Sequence, residues 1–235
     1  MKIDLKALQQ QSTPVAFHSV IYSLSLLARK LGAELLFEGI ETNYQFHYAW
    51  RKHGRYYQGH FISKPLPHFI EQDIWKDRVK SDIRQFIDVE QSKLTKKYQL
   101  AQKLNDQIAR LSHENKWESD LNERILFIAE QMEDVCFRMY ITDVEGYQQT
   151  ANVIKANDLW TYDFSAQMKN WSWRPYFIEN VIRMKQDQTG ILSDLYSDIE
   201  TGEMIRTFSY PLEKDLFLFL DMSSMFLDQH EYLLW

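Results

Sequence analysis

From His68 to Lys116, roughly fifty residues pass without a glycine or a proline. A stretch lacking both the residue that frees the backbone and the one that breaks a helix can run as a single long helix. Within it Ile87, Leu94, Ala101 and Ile108 recur every seven residues, with Leu104 and Leu111 three after the last two. That heptad stripe predicts a helix over 69–116, although Glu90 and Lys97 stand at early d positions. Two uses are open. The helix either packs on its own chain, or pairs in parallel with a second copy as a homodimer connecting two modules. Turn-formers are scarce throughout, with 7 Gly and 5 Pro in 235 residues, so helices and long strands are expected and a sandwich of tight hairpins is not.

On either side of this helix the pattern differs. Residues 1–67 alternate short strands (1–5, 35–37 and 56–63) with two helices. The first helix follows Ser12-Thr13-Pro14, carries apolar residues at 17, 20, 21, 24, 27, 28 and 31, and ends at Gly32; the second runs from Thr42 to near Gly54. Such alternation implies a parallel sheet with covering helices. Residues 117–235 begin with a helix near 120–132 and a strand over 135–142 that ends in the turn Asp143-Val144-Glu145-Gly146. A helix over 175–185 and strands over 190–196, 204–211 and 216–221 follow. Helices first and hairpin-connected strands afterwards indicate an α+β domain with an antiparallel sheet. The expected division is 1–67, 68–116 and 117–235.

With 45% apolar and 14% aromatic residues the chain is no disordered segment, and a net charge of −6 provides no field to draw nucleic-acid phosphates. The single cysteine, Cys136, lies among Val135, Phe137 and Met139 and reads as a buried strand thiol. No signal peptide or membrane-length apolar run is present; the densest, Leu216 to Leu220, is strand-sized. A cytoplasmic protein without direct nucleic-acid or membrane binding is expected. His18, His47, His53, His68, His113 and His230 show no metal-ligand spacing.

Chemistry-bearing residues gather where the first module's strands end. Lys2 is on the first strand, Glu38 and Glu41 follow the second, and Gln58 lies on the third. In a parallel α/β barrel, strand carboxyl ends build the active site, where a lysine, carboxylates and an amide could serve metal-assisted phosphoryl transfer. Ordinary polar residues near strand ends are the plainer alternative. The strings Lys2-Ile3-Asp4, Glu38-Gly39-Ile40-Glu41-Thr42 and Gln58-Gly59-His60-Phe61 with Ser63-Lys64-Pro65-Leu66 together resemble the end of an EAL domain. That resemblance implies a TIM-type barrel that hydrolyses cyclic di-GMP to linear pGpG with two Mg²⁺ or Mn²⁺ ions. It places Lys2 beside the attacking water, Glu38 at the metal site, Gln58 in the nucleotide pocket and Glu41 as a brace of the adjacent loop. His60 departs from the family's usual Tyr or Phe.

Only residues 1–67 share this likeness, the last three strand–helix units of eight, and neither Glu-Ala-Leu nor Asp-Asp-Phe-Gly occurs. One carboxylate cannot hold two cations. For this chain alone no cofactor, no turnover and at most weak cyclic di-GMP binding are expected. Three strands cut from a barrel leave open edges, so a fragment of a longer protein, or a covering partner, is also expected.

The second module carries Asn170-Trp171-Ser172-Trp173-Arg174-Pro175-Tyr176-Phe177, then 192–198, Thr201-Gly202-Glu203 and 206–211. This run resembles a small Cache-type, PAS-like sensor domain, with Arg-x-Tyr-Phe as its ligand-facing motif. As a pocket, Arg174 and Arg206 would fork a carboxylate or phosphate between Trp171, Trp173, Tyr176, Tyr196 and Tyr210, with Asp198 close by. Equally open is a core in which the arginines pair with Asp194, Asp198 or Glu203. The fold class is therefore a truncated barrel end, a long helix and a Cache/PAS-like domain. The function read from it is regulatory cyclic di-GMP signalling with an unidentified small-molecule ligand. A fragment of a full-length phosphodiesterase and a purely structural interaction protein are the competing readings.

Overall fold

The computed structural model describes residues 1–8, 15–69, 71, 73–114, 120–174, 177–213 and 215–234. Two compact units divide at 91/92: Met1–Gln91 and Ser92–Trp235.

The first unit holds a parallel sheet in the order β1 (Lys2–Asp4), β2 (Leu35–Glu38), β3 (Gly54–Tyr57). Between the strands run α1 (Val15–Lys30) and α2 (Asn43–Arg51), as the alternation requires. The Ser12-Thr13-Pro14 start expected for α1 lies outside the described residues. Gly32 ends this helix at φ +64°, which lets the Ala33 amide donate to the Ala28 carbonyl at 2.9 Å. Thr42 caps α2 in a capping box with Gln45. The buried Gln45 amide also ties distant backbone together, donating to the Leu5 and Leu8 carbonyls at 3.1 Å each. Ile3, Leu35 and Phe37 turn to the helices and form one core with Ile21, Ala28, Phe46 and Ala49. The alternate residues Lys2, Asp4, Leu36 and Glu38 occupy the other face.

The third strand is shorter than the expected 56–63. After Tyr57, Gln58 still exchanges backbone bonds with Phe37 and Ile40, and then the Ile62 and Ser63 amides turn back onto Gly59. Close approach forces the turn. A Cβ on Gly59 would lie 2.0 Å from the Ile40 carbonyl oxygen.

Helix α3 (Lys76–Glu114) confirms the long uninterrupted helix, though its first turns begin later than residue 69. Val79 and Ile83 pack on the first unit's core. Leu100, Leu104, Ile108 and Leu111 are buried in the core of the second. The later half of the heptad stripe is thus used within its own chain, while Ile87 and Leu94 stand exposed.

The second unit is built on a six-stranded antiparallel sheet. Its strands are β4 (Cys136–Asp143), β5 (Asn152–Ala156), β6 (Leu159–Asp163), β7 (Ile191–Leu192), β10 (Thr207–Glu213) and β11 (Leu216–Met222). Their order is β6-β5-β4-β11-β10-β7. A two-residue ladder, β8 (Tyr196–Ser197) with β9 (Met204–Ile205), stands apart, so the expected strands 190–196 and 204–211 are each interrupted. The β5–β6 hairpin was not expected. Its turn, Asn157-Asp158, has φ of +50° and +61°, the left-handed pair that a two-residue hairpin loop needs.

Strand alternation divides the sheet's faces. Met139 and Ile141 of β4, with Leu218, Leu220 and Met222 of β11, meet α3 and α4 (Leu121–Gln131, capped by Asp120) in the main core. Phe226 and Leu227 of α6 (Ser224–Gln229) complete it. On the opposite face Tyr140, Phe217 and Phe219 pack with Phe177, Val181 and Met184 of α5 (Phe177–Asp187). Arg138, Thr142 and Asp221 alternate in step with these aromatics, which makes this second face a polar one as well.

Candidate functional site

The first unit brings together two of the four expected EAL-type residues. On the helix-free face of the sheet, Lys2 Nζ lies 2.6 Å from Glu38 Oε2. Gln58 follows the carboxyl end of β3 with its side chain exposed, and Glu41 is exposed just before α2. Glu41's backbone amide donates to Gln45 Oε1 at 2.7 Å, which fixes the loop without using the Glu41 carboxylate. No group of three potential metal ligands occurs among the described residues. A pair of divalent cations takes several oxygen donors held together. Glu38, already in an ion pair with a lysine, does not fit that requirement, and no metal-dependent step is assigned to these residues.

The second unit contains a cavity of about 600 Å³ on the α5 face of its sheet. Its floor is the strand face bearing Tyr140, Thr142, Thr207, Ser209 and Phe219, and its walls include Trp171, Arg174, Phe177 and Tyr196. Tyr140, Phe219 and Phe177 form a stacked column, with centroids 5.2 and 6.0 Å apart and ring planes inclined by only 7° and 12°. Trp173, Asp194 and Ile199 stand exposed at the rim.

Arg174 is the prominent charge. Its guanidinium lies 4.5 Å from the centroid of the Trp171 ring, whose own N–H is held by Gln148 Oε1 at 2.9 Å. Nε of Arg174 is buried without a hydrogen-bond partner. Arg51 and Arg124 share that feature, but each is in an ion pair, with Glu90 and Glu213 respectively. Arg174 has no such pair among the described residues. A stacked cation with unspent donors, facing a mixed apolar and hydroxylic cavity, suits a small anion with an apolar body.

The other sensor candidates separate. Trp171, Trp173, Arg174 and Tyr196 line the cavity. Tyr176 lies outside the described residues. Arg206 is buried and donates to the Leu233 and Ser193 carbonyls, so its fork closes on backbone instead of opening on a ligand. Tyr210 packs on the main core, on the face of β10 away from the cavity. Asp198 is buried and paired, yet with neither expected arginine. Its partner is Arg138, whose Nη2 is 2.8 Å from Asp198 Oδ1.

Arg138 was not singled out from sequence, and it anchors a buried network. It donates through Nε to Asp221 at 2.6 Å and through Nη1 to Glu200 at 2.8 Å. Burial by itself would raise the Asp198 carboxyl's pKa; hydrogen bonds and charge from Arg138, with bonds from Thr201, hold it below the ordinary value. From Asp221 the network continues to Thr207 Oγ1 at 2.5 Å and on to the Tyr196 hydroxyl at 2.6 Å, reaching the cavity wall. The available signal was period two: Arg138, Tyr140 and Thr142 alternate in β4, as Phe217, Phe219 and Asp221 do in β11.

These features define a mixed α/β protein with an antiparallel sheet and a lined cavity on one of its faces. The chain belongs to the family described as the EAL-domain associated signalling protein domain, YkuI_C, whose model matches residues 69–234. It is 44% identical over 238 aligned residues to the uncharacterized EAL-domain containing protein YkuI of Bacillus subtilis, spanning the whole of this chain and 58% of that protein. The crystal structure of YkuI, with an EAL domain and in complex with c-di-GMP and calcium, superposes with a TM-score of 0.92 over 99% of this chain and 57% of its own. The ligand-binding domain of the Campylobacter jejuni chemoreceptor Tlp3, in complex with L-valine, is 10% identical with a TM-score of 0.45, covering 70% of this chain and 68% of that one. No helix among the described residues is long and apolar enough to cross a membrane.

Proposed function

We propose that this chain is a regulatory module of bacterial cyclic di-GMP signalling. In this reading residues 1–67 are the last three strand–helix units of an EAL-type barrel, and the second unit is a Cache/PAS-like sensor whose cavity takes a small anion. The meeting of Lys2 with Glu38 and the close approach at Gly59 support the first part, together with the likeness to YkuI. The observation that carries the second part is Arg174, a cavity-lining cation with a buried, unpartnered Nε. Ligand binding is read out through α3, which supplies Val79 and Ile83 to one core and Leu104 and Ile108 to the other. Its exposed Ile87 and Leu94 would be the homodimer contact.

A thermal-shift screen of small carboxylates and phosphates tests the sensor reading. Any anion that binds the folded state raises its melting temperature, and Arg174→Ala should abolish the rise. If no anion stabilises the parent protein, the sensor reading falls. Calorimetric titration with cyclic di-GMP, against Glu38→Ala as control, tests the first part.

A second reading, favoured by the same Lys2–Glu38 pair, makes these residues part of a longer, metal-dependent phosphodiesterase. An in-frame Glu-x-Leu and Asp-Asp-Phe-Gly encoded upstream of Met1 would support it. Formation of pGpG by purified 1–235 would overturn the regulatory reading outright.

A further inference from the structure

The hydrogen-bond polarity of one part of the cavity wall is set by a residue outside it. Asp221 is fully buried and receives Nε of Arg138 at 2.6 Å, so its carboxylate acts only as an acceptor. The Thr207 hydroxyl has one proton, and at 2.5 Å it gives that proton to Asp221. Tyr196, 2.6 Å from the Thr207 oxygen, must then be the donor of their shared bond. Burial pushes the Tyr196 phenol up to about 12, which keeps it protonated and able to donate at neutral pH. With its proton committed to Thr207, the Tyr196 oxygen keeps only acceptor capacity, and both residues are in the cavity wall. Arg174, on the same wall, can only donate. The two groups sense each other, since the Arg174 charge acts on the Tyr196 phenol.

We propose that the Asp221–Thr207–Tyr196 relay makes the cavity selective for anions that also carry a hydroxyl or N–H donor. The anionic group meets Arg174 and the donor meets the Tyr196 oxygen. An analogue lacking the donor leaves that oxygen desolvated and unpaired, which is the stronger discrimination a polar site can make. Asp221 and Thr207 are positioning residues: Asp221 lies outside the wall, and Thr207, though on the cavity floor, acts through the proton of Tyr196. Glu179 and Asp194 also line the cavity as independent acceptors, and variants of the relay leave both in place. This inference rests on the proposed anion-binding role of the cavity.

The test uses matched probes, phenylacetate with mandelate and 3-methylbutanoate with 2-hydroxy-3-methylbutanoate, in calorimetric titration of the full chain. The hydroxy acid of each pair should bind roughly three- to tenfold more tightly, the worth of one net hydrogen bond. Tyr196→Phe should erase the difference while retaining the anion. Thr207→Val, which keeps the side chain's shape and frees the Tyr196 proton to face the cavity, should erase or reverse it. A purely structural role for Thr207 would weaken both members of a pair alike. Equal binding of both members by the parent protein overturns the relay and leaves the anion site standing. Binding of neither member, with no stabilisation by any anion, overturns the cavity reading and the relay with it.

Discussion

Ile108 and Leu94 occupy the same heptad position of α3, two repeats apart, and they have opposite environments. Ile108 is 0% exposed and Leu94 is 52% exposed. Ile108→Ala removes three buried carbons, about 2.4 kcal/mol at ~0.8 kcal/mol per methylene, and leaves a cavity whose walls relax only in part. Neighbours Ile125, Ile128 and Met132 come from a separate helix and a following turn, so collapse is incomplete and a cavity term of about 1 kcal/mol adds to the loss. The expected cost is about 3–4 kcal/mol, or a fall in melting temperature of roughly 7–14 °C for a domain of this size. Leu94→Ala should cost less than about 1 kcal/mol, because half of that side chain is already in water. Urea denaturation followed by circular dichroism, at two protein concentrations tenfold apart, reads both. The Ile108 loss should be independent of concentration, since its contacts lie within one chain. Equal losses at the two positions, or an Ile108 loss below about 1 kcal/mol, would refute the account of α3 as a core helix of its own chain. A loss at Leu94 that appears at the higher concentration and vanishes on dilution would mark the exposed half as a dimer contact, and cysteines placed at 87 and 94 should then crosslink.

Three further outcomes follow from particular contacts. Asp198's folded pKa is lowered, so its contribution is present above the unfolded value of about 3.9 and is lost as pH falls through the lower folded one. Melting temperature should therefore drop below about pH 4, and Asp198→Asn should flatten that part of the curve while lowering the plateau above it. Gly59→Ala should unfold the first unit selectively, by about 3 kcal/mol or more, because the added Cβ meets the Ile40 backbone and has no flexible neighbour to displace; proteolysis within 1–67 of an otherwise intact protein would report it. Cys136 is buried, and burial first, then the Asp221 charge, push its thiol up. It should resist a thiol-specific disulfide reagent in the native protein at pH 8 and react at once in denaturant; rapid native labelling would contradict its placement.

Much of the scaffold was legible in the chain because it is encoded locally. Thr42 with Gln45, Gly32 and Asp120 mark helix ends through bonds made within a few residues. Long-range demands were not legible. The third strand stops at Tyr57 because Gly59 must touch Ile40, which no local pattern reveals. The β5–β6 hairpin was missed although its Asn157-Asp158 turn suits left-handed backbone, because Leu159 to Asp163 lacks a clean apolar alternation. At the cavity, Trp171, Arg174 and Tyr196, named from the aromatic and arginine content of their segments, line the wall. Composition could not separate Arg174 from Arg206; one faces a cavity and the other closes on carbonyl oxygens.

The gap in glycine and proline from 68 to 116 permitted a long helix and the apolar spacing within it pointed to one, because helix formation depends on neighbours three and four residues away. It could not say which surface the helix would serve. The a positions Ile87, Leu94, Ala101 and Ile108 are apolar throughout, with Glu90 and Lys97 at the early d positions, yet tertiary packing buries Ile108 and leaves Ile87 and Leu94 in water. The partners of an apolar side chain are set by segments distant in sequence. The same reason puts Arg138 against three carboxylates drawn from two other segments. Only the folded sheet brings those charges within bonding distance.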